Sequence, residues 1–341
     1  MFKILVVDDS AFMRQLIKNI LEETGIFEVT VAQTPLIALD KIQKQQFDAI
    51  TVDYEMPYMN GIELIKLINF QYKNRIIMIS AYTYPETAIT LEALNSGAFD
   101  YVLKPTSFEQ TQQFSNEIVE KLKAVCLKNN TDVIPQQIPQ NIRSTWDSIL
   151  GKARKAEIVG IGISTGGPPA LERIFINIRR DFHLPILIVQ HMPPNFTKAL
   201  AERLSALSQL CIKEAEDNEE INRGCVYIAK GGYHLAVENR NGKKYTKLLD
   251  TEKVTGHKPS ANVLFSSIAD VYAKNSIGII MTGMGGDGSD GLLEMRNKGA
   301  LTIAQDEKSC VVFGMPKVAI DKGAVDIVLS LESIIEFLNS I

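Results

Sequence analysis

The chain has 341 residues, enough for two domains with separate cores. Its 36 basic and 40 acidic side chains leave a formal charge of −4, without the basic excess of a nucleic-acid-binding surface. The four cysteines, Cys126, Cys211, Cys225 and Cys310, are spaced for neither a metal cluster nor a disulfide framework, which points to a reducing compartment.

In chain order, Met1-Phe2-Lys3 leads straight into an apolar strand, Ile4–Val7, with no visible signal peptide. No apolar run is long enough to span a bilayer, so the expectation is a cytoplasmic protein without direct membrane insertion. Ser10 can cap a helix carrying Leu16, Ile17, Ile20 and Leu21 on one face and ending at Gly25. Thr34-Pro35 opens the next helix with proline in its first turn. Strands at Ala49–Val52, Ile76–Ile79 and Tyr101–Leu103 alternate with helices at Gly61–Asn69, Glu86–Ser96 and Ser107–Lys128. Such alternation builds a parallel sheet covered on both faces. From Asn129 to about Ser148 the periodicity is lost in a polar, proline-interrupted stretch, an expected interdomain linker with Trp146 as an anchor on a domain surface.

The alternation resumes at Lys155. Strands are expected at Glu157–Gly162, Ile186–Gln190, Ile277–Met281, Leu301–Ala304 and Asp326–Leu329. Helices are expected at Pro168–Ile178, Phe196–Ala206, Ala261–Ala273, Gly288–Lys298 and Leu331–Asn339. Shorter strands at Cys225–Ala229, His234–Glu238 and Tyr245–Leu249 lie between, the last two joined by a hairpin turn at Asn241-Gly242. The expected organisation is α/β throughout: a doubly wound (βα)5 domain over residues 1–125, a linker over 126–152, and a doubly wound, mainly parallel α/β domain with a short β-hairpin over 153–341.

Chemistry-bearing residues gather at the expected strand exits of both domains. Asp8 and Asp9 follow the first strand, Asp53 ends the third, Ser80 follows the strand at Ile76–Ile79 and Lys104 follows the fifth. In an open parallel sheet these exits share one edge, where ligands bind. Converging carboxylates suit a hard cation such as Mg²⁺, which offsets the charge of an incoming phosphoryl group while Asp53 attacks phosphorus. Lys104 adds a compact positive charge beside the phosphoryl oxygens, and Ser80 a hydroxyl. Nearly all of residues 1–125 resembles the receiver domain of two-component response regulators, through Val7-Asp8-Asp9-Ser10, Asp53-Tyr54-Glu55-Met56-Pro57, Asn60-Gly61, Ser80-Ala81 and Lys104-Pro105. The resemblance implies that Asp53 is the phospho-acceptor, that Tyr101 changes rotamer on activation and that Lys104-Pro105 is a cis bond.

In the second domain, Gly162-Ile163-Ser164-Thr165-Gly166 fits a nucleophile elbow at a strand exit. Ser164 needs a base, which His191 can supply after its own strand, and Asp287 can orient that imidazole. Met284-Gly285-Gly286 can bring a backbone N–H to a tetrahedral oxyanion, and the Thr165 hydroxyl can hold the histidine or the intermediate. The glycine-rich turn could instead cradle a dinucleotide phosphate, but its spacing is not Gly-x-Gly-x-x-Gly. A non-catalytic response regulator with a partner- or nucleotide-binding second domain, and a serine amidase or protease, are the competing functions. His234 and His257 read as structural, His257 at the cleft rim, and His183 as a loop residue.

The order Ser…His…Asp matches neither α/β-hydrolases, chymotrypsin-like proteases nor subtilisins. It is similar to that of the chemotaxis protein-glutamate methylesterases, the CheB family. Further matches are Gln190-His191-Met192-Pro193, His257-Lys258-Pro259-Ser260, Thr282-Gly283-Met284-Gly285-Gly286-Asp287-Gly288 and Phe313-Gly314-Met315-Pro316. The resemblance implies hydrolysis of glutamyl methyl esters on methyl-accepting chemotaxis receptors, with release of methanol, and deamidation of receptor glutamines. It implies a chemotaxis histidine kinase as phosphodonor, Mg²⁺ in the receiver and no cofactor in the catalytic site. It assigns Ser164 as nucleophile, His191 as base and acid, Asp287 as orienter and the Met284 N–H as oxyanion donor. Asn262 departs from the aspartate common in the family after Pro-Ser, an expected change of charge near the cleft.

Overall fold

The computed structural model describes residues 1–72, 75–81, 84–127 and 149–341. The chain divides into two compact units, Met1–Asn130 and Thr131–Ile341.

The first unit runs β1 (Phe2–Val7), α1 (Ala11–Glu22), β2 (Phe27–Ala32), α2 (Pro35–Lys44), β3 (Ala49–Asp53), α3 (Gly61–Tyr72), β4 (Ile76–Ser80), α4 (Tyr84–Asn95), β5 (Asp100–Leu103) and α5 (Phe108–Leu127). The Ser10 hydroxyl accepts from the Met13 N–H to start α1, and Thr34 accepts from Ile37 to start α2 ahead of Pro35. The sheet order is β2-β1-β3-β4-β5 with every pair parallel. β3 and β4 are buried at every position, as strands covered on both faces must be. The order reverses between β1 and β3, so the exits of these two strands flank the crevice where ligands bind.

The second unit runs β6 (Ile158–Ile163), α6 (Gly167–Asn177), β7 (Ile186–Gln190), α7 (Phe196–Leu207), β8 (Cys211–Glu214), β9 (Cys225–Ile228), β10 (His234–Arg240), β11 (Lys243–Leu249), α8 (Ala261–Tyr272), β12 (Ser276–Ile280), α9 (Ser289–Asn297), β13 (Leu301–Gln305), α10 (Met315–Asp321), β14 (Ile327–Leu329) and α11 (Leu331–Asn339). Its seven-stranded sheet, β14-β13-β12-β6-β7-β9-β8, is wholly parallel. The antiparallel hairpin β10–β11 stands apart from it and turns at Asn241-Gly242, both with positive φ, as a two-residue hairpin requires. Strand order runs outward in both directions from the start of this unit, so the switch point lies between β6 and β12. Ser164 leaves β6 and the Thr282–Gly288 loop leaves β12, on either side of that point.

Helix α8 lies unusually close to β6. A Cβ on Gly160 would sit 2.7 Å from Ile268 Cδ1, and one on Gly162 would sit 2.8 Å from Ala261 Cβ. The two strand glycines therefore let the first turn of α8 reach the strand exits.

Three elements go beyond the sequence reading. β2 alternates but carries a glutamate and a threonine, β8 has only four residues, and α10 has only seven with a proline at its start. Lys104-Pro105 is not cis; the cis bond among the described residues is Lys258-Pro259. The Lys104 N–H continues the parallel ladder to the Ser80 carbonyl at 2.8 Å. Residues 126–127 continue α5 and residues 149–153 are helical, whereas Trp146 and the rest of the expected linker lie outside the described residues. No helix among the described residues is long and apolar enough to cross a membrane.

The close approach of α8 yields a stability test. Gly162→Val overfills the contact with Ala261 and Phe265 and should cost about 1–3 kcal/mol, read as a lower midpoint in urea unfolding. An unchanged midpoint would mean that the helix is free to move away.

Candidate active site and phospho-acceptor cluster

At the exits of β1 and β3, one carboxylate oxygen from each of Asp8, Asp9 and Asp53 lies within 4.8 Å of the other two. Asp8 and Asp53 are buried and Asp9 is exposed. Lys104 Nζ stands 2.7 Å from Asp53 Oδ2 and 3.6 Å from Asp8 Oδ2. Burial raises the Asp53 pKa to about 6; the Lys104 hydrogen bond works against it and the Asp8 charge adds to it. Burial raises Asp8 as well, against the Lys104 charge. The Ser10 N–H fixes Asp8 Oδ1 at 2.8 Å, while the buried Oδ2 has no hydrogen-bond donor. Three converging carboxylates, one with an orphaned buried oxygen, fit a hard oxygen-seeking cation such as Mg²⁺.

Ser80 and Tyr101 are both buried. Ser80 Oγ lies 2.9 Å from Thr90 Oγ1 on α4, which ties the end of β4 to that helix. Lys121 on α5 places Nζ 5.2 Å from the centre of the Tyr101 ring, 2.6 Å from the Tyr101 carbonyl oxygen and 3.1 Å from Asp100. Thr90 and Lys121 carry no sequence signal of their own. They are ordinary helix residues until the fold sets them against the strand exits.

In the second unit three strand exits are stitched together. The Ser164 N–H donates to the Thr282 carbonyl at 2.9 Å and the His191 N–H to the Ile163 carbonyl at 3.1 Å. Gly283 comes so close that a Cβ on it would lie 2.8 Å from Ser164 Cβ. Gln190 Nε2 braces the turn by donating to the carbonyls of Ser164 at 3.0 Å and His191 at 3.3 Å. The Thr282 hydroxyl donates to the Thr165 carbonyl at 2.9 Å, so Thr165 is fixed through its backbone. Its hydroxyl makes no hydrogen bond to His191.

His191 Nε2 lies 2.7 Å from Asp287 Oδ2. An ionised carboxylate only accepts, so Nε2 carries a proton, and in the neutral ring Nδ1 is then the acceptor. Nδ1 is buried and has no hydrogen-bond partner. Asp287 is buried but well supplied with donors. Oδ2 also accepts from the Ala261 N–H at 2.6 Å, and Oδ1 accepts from the Thr255 and Ser260 hydroxyls at 2.7 and 2.6 Å and from the Asn262 N–H at 3.3 Å. Two of these donors are backbone N–H groups in the first turn of α8, where the helix dipole favours an anion. Burial pushes the Asp287 pKa up; the His191 hydrogen bond and charge, with the two hydroxyls, outweigh it and hold the group well below the usual carboxylate range.

Residues 159–338 match the family model of CheB methylesterase, and residues 4–115 that of the response regulator receiver domain. The chain belongs to the CheB methylesterase family. It is 41% identical over 330 residues to a Thermotoga maritima relative named protein-glutamate methylesterase/protein-glutamine glutaminase, covering 96% of this chain and 94% of the relative. A relative of the same name from Pyrococcus horikoshii is 39% identical over 344 residues, covering 98% and 92%. The crystal structure of the Thermotoga maritima CheB methylesterase catalytic domain aligns with a TM-score of 0.53 at 44% identity, over 54% of this chain and 97% of that one.

Within the methylesterase domain, Asn262 lies beside the candidate site, its N–H 3.3 Å from Asp287 Oδ1, and its side chain turns toward α9. Its side-chain Oδ1 accepts from the Asp290 and Gly291 N–H groups at 3.1 and 2.9 Å, which caps α9. The cap needs an acceptor, which the amide oxygen supplies without a second buried charge beside Asp287. His234 is structural, with Nε2 2.9 Å from the Glu252 carbonyl and Nδ1 accepting from the Ser260 N–H at 3.1 Å. Ser260 closes the His257-Lys258-Pro259-Ser260 motif and Thr255 lies two residues before it, but the sequence gives neither a partner.

Removing one donor from Asp287 should be measurable. Ser260→Ala should lower stability by about 1.5–3 kcal/mol at neutral pH, the usual worth of a hydrogen bond to a charge. A depressed folded pKa contributes stability above the unfolded carboxylate value of about 3.9 and loses it as the pH falls through the folded one. The unfolded value is common to both proteins, so the gap between variant and wild type in urea unfolding should narrow only as the pH falls below the usual carboxylate range, through the folded-state values. A gap that stays constant into acid would show that the hydroxyl does not act through the carboxylate.

Proposed function

We propose that the chain is a receiver-controlled protein-glutamate methylesterase and protein-glutamine glutaminase that acts on chemoreceptors. The observation that carries this reading is the buried Asp287–His191 pair at 2.7 Å, with an unpartnered Nδ1, at the switch point from which Ser164 emerges. Ser164 Oγ attacks the ester carbonyl of a receptor glutamyl side chain as His191 Nδ1 takes the hydroxyl proton. The Met284 N–H meets the oxyanion, and Asp287 stabilises the imidazolium. Collapse breaks the ester C–O bond and His191 returns its proton to the departing methoxide, giving methanol. For a glutamine substrate the same step releases ammonia. Water, deprotonated by His191, then cleaves the acyl-enzyme to a receptor glutamate and free Ser164.

In the receiver, Asp53 takes a phosphoryl group from a chemotaxis histidine kinase. Mg²⁺, when held by Asp8, Asp9 and Asp53, supplies positive charge that offsets that of the phosphoryl group. Lys104 moves from its pairing with Asp53 to the phosphoryl oxygens, and Ser80 and Tyr101 carry the change to α4 and the neighbouring face. Residues 1–125 form the receiver, 126–152 the connector and 153–341 the catalytic domain. The setting is the cytoplasm, with receptors reached at the membrane surface.

Methanol release from methylated receptor membranes tests the reading. Ser164→Ala and His191→Ala should each fall to near background, because nucleophile and base act as a unit. Turnover in a folded Ser164→Ala protein would remove Ser164 from the mechanism. A small phosphodonor should raise the wild-type rate and leave Asp53→Asn unchanged. An equal response in Asp53→Asn would move the phospho-acceptor elsewhere.

A further inference from the structure

The ring of His257 lies face to face with that of His191, with centroids 3.9 Å apart and planes within 5°. From this stack we propose, on the basis of the Ser164–His191–Asp287 reading, that His257 is a positioning residue. It is an aromatic plate that fixes the plane of the His191 imidazole, keeping Nε2 on Asp287 and Nδ1 available to Ser164.

A plate of this kind answers a geometric need. The second side-chain torsion of histidine is broad, so the backbone does not set the ring plane. The Asp287 hydrogen bond pins one nitrogen and still allows the ring to rock about that contact. Nδ1 makes no hydrogen bond that would stop it. A flat ring stacked at contact distance removes that freedom and keeps water off one face.

The plate is itself held firmly. Val254 and His257 exchange backbone hydrogen bonds of 3.1 and 3.0 Å, closing a tight turn. Its central residues, Thr255 and Gly256, have φ of 51° and 82°, the left-handed pair of a type I′ turn. That conformation is unfavourable for a β-branched threonine. The turn keeps it because the Thr255 hydroxyl bonds Asp287 Oδ1 at 2.7 Å. One strained turn thus delivers a hydroxyl to the orienting carboxylate and a ring to the base. The charged and titratable groups around His257 are His191 on its face, Asp287 at the β12 exit and Lys253 on its own loop. Burial, and then the His191 charge, push the His257 pKa down to about 4. When His191 takes up a proton, it meets a neutral π-face and no like charge.

The test uses the full-length protein with a phosphodonor and methylated receptor membranes, with wild type and Ser164→Ala run alongside. His257→Phe keeps a flat ring, and His257→Leu keeps bulk without one. The expected result is a kcat for His257→Leu about 10- to 100-fold below wild type with KM within about threefold, and a kcat for His257→Phe within about threefold of wild type. His257→Ala should behave like His257→Leu and decides the matter if that variant does not fold. Equal losses in Phe and Leu would place the role in the ring nitrogens and overturn the stacking account. So would a full-speed Leu variant, or a change in KM alone. Absence of methanol release by wild type would instead sink the functional reading itself.

Discussion

The catalytic unit is organised around one buried anion, the carboxylate of Asp287. Burying a charge costs several kcal/mol unless donors replace its water. Asp287 receives five: the His191 imidazole, two hydroxyls and two backbone N–H groups. Each donor comes from a segment that must be brought in, namely the exit of β7, the turn at residues 254–257 and the start of α8. The close packing of α8 on Gly160 and Gly162 is what brings its first turn within reach. The requirement for five donors thus reaches back into the composition of the central strand.

The receiver uses buried carboxylates in the opposite way. Asp8 and Asp53 are also out of water, but Lys104 is the cation beside them and one Asp8 oxygen has no donor. Burial therefore wins, and both groups are harder to ionise than usual, whereas Asp287 is easier. A carboxylate whose donors are built in is a fixed part. A cluster short of positive charge is a site that takes up charge, as the proposed metal and phosphoryl chemistry requires. One chain thus holds both forms, at the same kind of strand exit in two parallel sheets.

Much of this was legible in the sequence, because strand–helix alternation places residues at sheet edges without any knowledge of distant contacts. Ser164, His191, Asp287 and the Asp8–Asp53–Lys104 group all follow apolar runs, and the topology collects them. Residues supplied by loops and helix faces were not legible in the same way. His257 sits in a turn whose position depends on Asp287, 30 residues later in the numbering. Asn262 reads as a residue near the cleft, as it is, but the sequence does not show that its side chain turns toward α9. Thr90 and Lys121 matter only once α4 and α5 have docked. Periodicity reports which face of an element is apolar, not which polar atom will meet another across the fold.

In the proposed mechanism the acceptor-only, charged carboxylate of Asp287, not merely its shape, prepares His191 for Ser164. Asp287→Asn fills the same space without the charge, and its NH2 group can donate to Nε2 and reverse the imidazole tautomer. Steady-state methanol release from methylated receptor membranes is the measurement, with circular dichroism to confirm the fold. The expected fall in kcat is roughly 10³- to 10⁴-fold, the scale seen when a triad carboxylate becomes an amide and the imidazole is held in the wrong tautomer. Turnover within about tenfold of wild type would mean that His191 does not depend on a charged, acceptor-only partner.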